Sequence, residues 1–193
     1  TLMNENYSHP KRPKNATTEN IIKGAYKYLE NKNPSLRILA SGVTLNFAID
    51  AEKELKKLGI FTEIWSVTSF NELFKDGIEV ERLNRYENKK SVSYVESCFS
   101  ECLPTVAVSE YVRAYTNQIR QWVNGDYVTL GTDGFGRSDT RESLRKFFEI
   151  DRYYIVLNSL KALVDQGKIE KSVIEKAMDK YNIDSEKPDP INS

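Results

Sequence analysis

A glycine-rich segment is the part of this sequence whose residue types and spacing most clearly allow specific chemistry. Three of the nine glycines fall within six positions of it. Glycine permits positive φ angles and close backbone approach, so we expect this loop to follow an unusual path or to lie against a near neighbour. The guanidinium group of an arginine can donate two hydrogen bonds at once to a carboxylate or to backbone carbonyls. The segment reads Gly131-Thr132-Asp133-Gly134-Phe135-Gly136-Arg137-Ser138-Asp139-Thr140-Arg141.

Two interpretations of this segment remain open. In the first, it is a tight turn before a surface helix with solvated charges. Asp139 would cap that helix, Glu142 would complete a reciprocal cap, and Ser138 would compete for the capping role. Arg141 and Arg145 are four residues apart and would share one helical face. In the second, the loop contacts another domain or subunit, and the candidate contact residues are Asp133, Gly134, Gly136, Arg137, Ser138, Asp139 and Arg141.

The other chemically capable residues do not form a recognisable site. His9 is the sole histidine and lies in a proline-rich stretch, so we expect it to be exposed and assign it no role. Cys98 and Cys102 lack the second ligand pair of a structural zinc site and are expected to be buried thiols. No phosphate-loop motif occurs, and Ser41-Gly42 offers one glycine where the dinucleotide fingerprint needs three. The sequence therefore predicts no catalytic, cofactor-binding or metal-ligating residue in this chain.

Composition excludes several classes of protein. The 193 residues contain 28 basic and 28 acidic side chains, so the formal net charge is zero. A polybasic nucleic-acid binder would carry a marked basic excess. We find neither an apolar run long enough to span a membrane nor an N-terminal signal segment, and we expect a cytoplasmic protein with no membrane or nucleic-acid partner.

Strand and helix patterns alternate along the chain. Short apolar runs predict strands at residues 36–40, 60–67, 91–95, 105–108 and 127–130. A helix is predicted from Thr17 or Thr18 to about residue 29, and others at about 43–58, 70–83 with an interruption at Asp76-Gly77, 111–122, 140–148, 155–166 and 170–181. This order predicts an α/β three-layer sandwich with a mostly parallel or mixed sheet of about five strands.

The glycine-rich segment and its flanks, L-G-T-D-G-F-G-R-S-D-T-R-E-S-L-R, resemble the C-terminal domain of the homodimeric, bacterial-type pyruvate dehydrogenase family. Residues 4–7, 37–42, 66–73, 94–95 and 182–184 resemble that family in the same order. The resemblance covers essentially the whole chain and departs mainly around residues 8–15.

The resemblance implies a transketolase-type C-terminal domain at residues 16–193, preceded at 1–15 by the end of a pyrimidine-binding domain and its linker. Full-length members use thiamine diphosphate and magnesium to decarboxylate pyruvate and reductively acetylate the lipoyl group of an acyltransferase component. They are homodimers that also contain an N-terminal diphosphate-binding domain. The family's G-D-G motif and its activating glutamate lie outside this chain, so we expect it alone to bind no cofactor, to be inactive, and to serve dimer and domain contacts.

Two alternative interpretations of the chain remain open. The chain could be a stand-alone α/β interaction module that pairs with other subunits, or the C-terminal domain of another transketolase-like enzyme. Thr1 in first position and the resemblance of residues 4–7 to the end of a preceding domain favour a chain cut from something longer.

Overall fold

A five-stranded mixed sheet forms the centre of the computed structural model, which describes residues 6–86 and 90–193. The strand order is β1-β3-β2-β4-β5. Strands β2 to β5 are mutually parallel, and β1 pairs antiparallel with β3 at one edge. The strands are β1 Ala25–Leu29, β2 Leu36–Ala40, β3 Thr62–Val67, β4 Thr105–Val108 and β5 Tyr127–Leu130.

Helices cover both faces of the sheet, which confirms the predicted three-layer α/β architecture. They are α1 Thr18–Lys23, α2 Thr44–Lys57, α3 Phe70–Asn84, α4 Tyr94–Cys98, α5 Arg113–Asn117, α6 Arg141–Phe147, α7 Arg152–Asp165 and α8 Ser172–Tyr181. Residues of α2, α7 and α8 form one apolar cluster with the sheet, and residues of α3 and α4 form the other.

Strand β2 shows why the sheet is central. Leu36, Ile38 and Ala40 belong to the first cluster, whereas Leu39 belongs to the second. All five residues of the strand are buried. A strand covered on both faces is typical of parallel sheets and needs a nearly continuous apolar run.

Arg37 is the polar exception in β2, and it forms a buried ion pair. Its Nε lies 2.5 Å from Glu63 Oε1, and the two side chains are 1% and 2% exposed. Lys27 Nζ contacts the other oxygen of Glu63 at 3.0 Å. Burial alone would raise the pKa of Glu63, but the hydrogen bonds and charges of Arg37 and Lys27 outweigh it and lower that pKa. The pair joins neighbouring strands with both charges compensated.

Two predicted elements are wrong at the start and middle of the chain. The first helix ends at Lys23, because Gly24 adopts φ 106° as its C-cap, and the residues that follow form β1 instead of continuing the helix. The strand predicted at 91–95 does not form, because residues 91–93 are a loop and Tyr94 and Val95 begin α4. Ser93 accepts a hydrogen bond from the Glu96 backbone, and Glu96 bonds back to Ser93, which makes a capping box.

Smaller differences concern continuity and burial. Helix α3 runs through Asp76-Gly77 without interruption, and a Cβ at Gly77 would lie 2.5 Å from the Trp122 ring, so glycine permits close packing there. The predicted helix 111–122 is split into α5 and a 3₁₀ turn at Arg120–Trp122. Cys98 is partly buried, as its raised pKa reflects, but Cys102 is exposed, so the expectation of two buried thiols was wrong for Cys102.

Candidate functional site

The glycine-rich loop leaves the carboxyl end of β5 in tight contact with the loop that follows β4. A Cβ on Gly131 would lie 2.6 Å from the Tyr111 carbonyl oxygen and 2.7 Å from the Arg113 backbone nitrogen. Thr132 N donates to the Tyr111 oxygen at 2.9 Å. The predicted near neighbour of this loop is therefore backbone of the same domain, and only glycine fits between the two segments.

Asp133 fixes the same junction through its side chain. Its Oδ1 accepts a hydrogen bond from Arg113 N at 2.9 Å, and its Oδ2 forms an ion pair with Arg113 Nε. Thr132 Oγ1 donates to the Glu110 carbonyl at 2.8 Å. Asp133 thus has its partner inside the domain. Arg113 was missed from the sequence because it lies twenty residues away, where no local spacing links it to Asp133.

Thr140 caps helix α6, so the predicted caps at Asp139 and Ser138 were wrong. Thr140 has extended backbone angles, and its hydroxyl accepts a hydrogen bond from Ser143 N. Asp139 Oδ1 instead accepts from the adjacent Thr140 N at 2.6 Å. The cap lies one residue later than predicted because Thr140 is the last residue outside the helix.

Beside this loop lies a cleft of about 330 Å³, which we call the arginine cleft. The residues that line it include three arginines, from the loop and α6, and three apolar residues, from α6 and the turn that follows. They are Arg137, Arg141, Arg145, Leu144, Phe148 and Ile150. Glu110 lies among the lining residues, as do backbone atoms of the glycine loop. The prediction that Arg141 and Arg145 share one helical face agrees with their common position here.

Two of these guanidinium groups are held by aromatic rings. The Arg145 guanidinium lies 5.0 Å from the Phe47 ring centroid, and its Nε and Nη2 donate to Glu110 Oε1 at 3.1 and 3.0 Å. The Arg137 guanidinium lies 4.2 Å from the Phe147 centroid. Such stacking restricts rotation of a long side chain and presents its donors in a defined direction.

The remaining predicted contact residues lie on the exposed side of this structure. Gly134, Gly136, Arg137, Ser138 and Asp139 are all exposed. Gly134 adopts φ 99°, and a Cβ there would lie 2.0 Å from the Pro190 carbonyl oxygen, so the loop also packs against the C-terminal residues. The structure therefore brings the predicted residues to one surface.

A buried threonine lies where the strand order of this sheet reverses. Open α/β sheets bind ligands beyond the carboxyl ends of strands where the strand order reverses, here between β2 and β4. Thr44 is fully buried at that point. Its Oγ1 contacts the carbonyl oxygens of Ser41 and Val108 at 2.8 and 3.2 Å. The Thr44 hydroxyl thus hydrogen-bonds within the domain at the point where the strand order reverses.

Metal-ligating side chains do not cluster among the described residues. A hard cation such as magnesium needs several converging oxygen ligands. Within residues 6–86 and 90–193, no group of three or more His, Cys, Asp or Glu side chains is arranged to hold a metal ion. No helix in the same ranges is long and apolar enough to cross a membrane.

Comparison with known protein families agrees with this fold. The sequence model of the transketolase-like C-terminal domain matches residues 24–151. The chain belongs to the transketolase-like C-terminal domain family. Proteins similar to this transketolase-like domain over its whole length include the pyruvate dehydrogenase E1 component of Pseudomonas aeruginosa, at 48% identity over 100% of the chain. The E1 components of Cupriavidus necator and Escherichia coli are 44% and 40% identical over 100% and 98% of it. The resemblance inferred from the sequence is confirmed.

The transketolase-like domain spans only 22–23% of the length of these relatives. Further domains of the same polypeptide are therefore implied. Solved structures support the fold: a transketolase from Pichia stipitis superposes with a TM-score of 0.60 at 20% identity, covering 81% of this chain and 20% of that one. The transketolase from Campylobacter jejuni gives 0.54, covering 78% and 20%. At such identities the likeness concerns the fold alone.

Proposed function

We propose that this chain is the C-terminal domain of a homodimeric pyruvate dehydrogenase of the acetyl-transferring type. The full-length protein would decarboxylate pyruvate with thiamine diphosphate and magnesium, and would reductively acetylate the lipoyl group of an acyltransferase component. It would act in the cytoplasm. The observation that carries this proposal is the 48% identity, over the whole chain, to a protein named the pyruvate dehydrogenase E1 component. Pyruvate-dependent turnover by the full-length protein, with thiamine diphosphate, magnesium and a lipoyl acceptor, tests it.

Within that protein, residues 16–193 would form a supporting domain, and residues 1–15 would be the end of the pyrimidine-binding domain and its linker. The internal hydrogen bonds of the buried Thr44, at the point where the strand order reverses, support a role without its own cofactor. Calorimetry of the isolated chain with thiamine diphosphate and magnesium should show no binding. Micromolar binding would contradict this part of the proposal.

The supporting role would be carried by the loop and the start of α6, through contacts with another domain or the second subunit. Exposed charges beside an apolar cleft support this, because charges buried at a contact need partners of opposite charge, and a lone buried charge would be costly. The variant Arg137→Ala/Arg141→Ala of the full-length protein should weaken dimerisation or turnover. Arg82→Ala/Arg85→Ala is a matched control, since both arginines lie at the end of α3, on the other face of the sheet.

Sedimentation and turnover measurements would separate the outcomes. Equal dimer affinity and equal turnover in the two double variants would contradict the contact role. They would leave the pyruvate dehydrogenase activity itself to be judged from the unsubstituted protein.

A further inference from the structure

The segment that follows α8 places the ammonium group of Lys187 in a largely buried site on the domain. The Lys187 side chain is 17% exposed. Its Nζ donates a hydrogen bond to the Phe147 carbonyl oxygen at 2.7 Å and lies 3.0 Å from Glu149 Oε1. The same nitrogen lies 5.3 Å from the centroid of the Phe147 ring and 5.7 Å from that of the Tyr154 ring. A carboxylate, a carbonyl oxygen and two aromatic faces are together well suited to bind a primary ammonium ion.

The groups around this ammonium are positioned by helices α6 and α7 rather than by the C-terminal segment. Phe147 is the last residue of α6, where backbone carbonyls lack partners within the helix. Glu149 adopts φ 61° just beyond that helix, and its backbone nitrogen donates to the Lys146 carbonyl oxygen at 3.3 Å. Tyr154 lies in the first turn of α7 and is 3% exposed. We therefore expect the site to keep its shape when Lys187 is removed.

The surroundings of the site are acidic and leave room for a small ligand. A cleft of about 490 Å³ adjoins it. Among the described residues that line this cleft, three are carboxylates and two are cations, namely Glu149, Asp184, Asp189, Arg113 and Lys187. Arg113 already forms an ion pair with Asp133. Because a cleft lined by one sign of charge concentrates ions of the other sign, removal of the Lys187 charge would leave a cleft that favours a cation.

The hydroxyl group of Tyr154 adds hydrogen-bonding capacity that the chain itself does not use. This hydroxyl is buried, and among the described residues it has no hydrogen-bond partner. Burial and the nearby carboxylates, of which Glu149 acts most strongly, raise the pKa of Tyr154 to about 12. The phenol is therefore neutral at neutral pH, and its hydroxyl can both donate and accept a hydrogen bond.

From this geometry we infer that the end of α6 and the start of α7 form a binding site for a primary alkylammonium ion, which Lys187 fills from within the chain. A free alkylammonium ion fills the site when Lys187 is withdrawn. The C-terminal segment is thus a tethered competitor, and a short tether gives an effective concentration in the millimolar range. A quaternary ammonium ion is rejected, because the Glu149 carboxylate and the Phe147 carbonyl oxygen require N–H donors. The inference goes beyond the proposed function and does not depend on it.

Filling the emptied site with a small amine tests the inference in the full-length protein. Lys187→Ala removes three side-chain carbons and the ammonium group, which n-propylammonium replaces atom for atom. Saturation-transfer NMR detects binding of this ligand, and the rings of Phe147 and Tyr154 should shift its methylene protons upfield. Lys161→Ala is a matched control, since Lys161 also forms an ion pair, with Asp165, but its side chain is 58% exposed. Lys187→Met is a second control, because it removes the same charge while its side chain still fills the site.

We expect n-propylammonium to bind the Lys187→Ala variant with a millimolar dissociation constant, and we expect no saturable binding to either control. Adding Glu149→Gln to Lys187→Ala should weaken binding about tenfold or more, since a charge-assisted hydrogen bond is lost. Tetramethylammonium at the same concentration should not displace the ligand.

Three results would overturn the inference. They are equal binding to Lys187→Ala and Lys187→Met, equal competition by tetramethylammonium, and the absence of saturable binding to a folded Lys187→Ala variant. Circular dichroism checks folding, and Lys187→Ser empties the same space if the alanine variant does not fold. Failure of both variants to fold would also contradict the inference, because the site would then not exist apart from Lys187.

Discussion

Replacing Gly131 with alanine should destabilise the domain through backbone sterics alone. The new Cβ would lie 2.6 Å from the Tyr111 oxygen and 2.7 Å from the Arg113 nitrogen. Reaching an ordinary contact of 3.4 Å requires the β4 and β5 loops to separate by about 0.8 Å. Overpacking of this kind costs about 1–3 kcal/mol, and the smaller entropy of the unfolded alanine chain returns about 0.4–1 kcal/mol.

The net loss of unfolding free energy for Gly131→Ala is therefore about 1–2 kcal/mol, which corresponds to a fall in melting temperature of about 2–8 °C for a domain of this size. Gly136→Ala is the matched control five residues along the same loop. A Cβ at Gly136 meets nothing within 4 Å, and its φ angle is not positive. Alanine at this position only lowers the conformational entropy of the unfolded chain, so the control variant should be as stable as the parent or slightly more stable.

Urea unfolding followed by circular dichroism measures both variants against the parent chain. If Gly131→Ala were as stable as Gly136→Ala, the close approach between the two loops would not exist in solution. The reasoning about why this loop needs glycine would then be refuted.

Three further predictions concern the rest of the domain. Hydrogen bonds from Lys180 and Lys57 lower the pKa of Glu54 to about 2. A lowered carboxyl pKa stabilises the fold at pH values above the unfolded pKa of about 4.3, and this stability is lost as the pH falls toward 2. Glu54→Gln should therefore reduce the pH dependence of the unfolding free energy, measured by urea titration, by about 1 kcal/mol or less. Arg37→Ala should lower the unfolding free energy by about 3–5 kcal/mol, because it leaves the buried Glu63 carboxylate with Lys27 as its remaining partner. The double variant Arg37→Met/Glu63→Leu should recover most of this loss. Equal losses in the two variants would exclude a penalty from the unpaired charge. Gly77→Ala should lose about 1–3 kcal/mol in thermal unfolding despite better helix propensity, because its Cβ meets the Trp122 ring, and a gain in stability would disprove that packing.

The sequence predicted most of the sheet because strands covered on both faces leave a strong local signal. Strands β2, β4 and β5 coincide with predicted apolar runs, and β3 begins two residues later than predicted. The predicted number of strands was correct, but the strand predicted at 91–95 does not form. Residues 91–95 contain valines and a tyrosine typical of strands, while the cap formed by Ser93 and Glu96 marks a helix start. The capping pattern was present in the sequence and outweighs the apolar run.

The antiparallel edge strand was missed for a related reason. Ile21, Ala25 and Leu29 recur at helical spacing, which predicted one continuous helix. Gly24 in the left-handed conformation ends it, and pairing with β3 then decides the conformation of the residues after it. Tertiary pairing commonly overrides a short periodic pattern.

The candidate site was only partly visible in the sequence. The glycine loop stands out by composition, and the shared face of Arg141 and Arg145 follows from helical spacing. Phe47 and Glu110, however, reach the cleft from separate elements. Contacts between residues so far apart in sequence depend on strand order, which no local pattern specifies.

The two described ends of the chain meet the domain at the same edge of the sheet. Ser8 lies at the first turn of α2, just after β2 ends, and Pro190 packs on Gly134, just after β5 ends. An affinity tag or fusion partner attached to the C-terminus would therefore emerge at the same edge of the sheet as the N-terminal residues. Labels for imaging or immobilisation are better attached near the amino ends of the strands, for example at the exposed Cys102, where they leave that edge open.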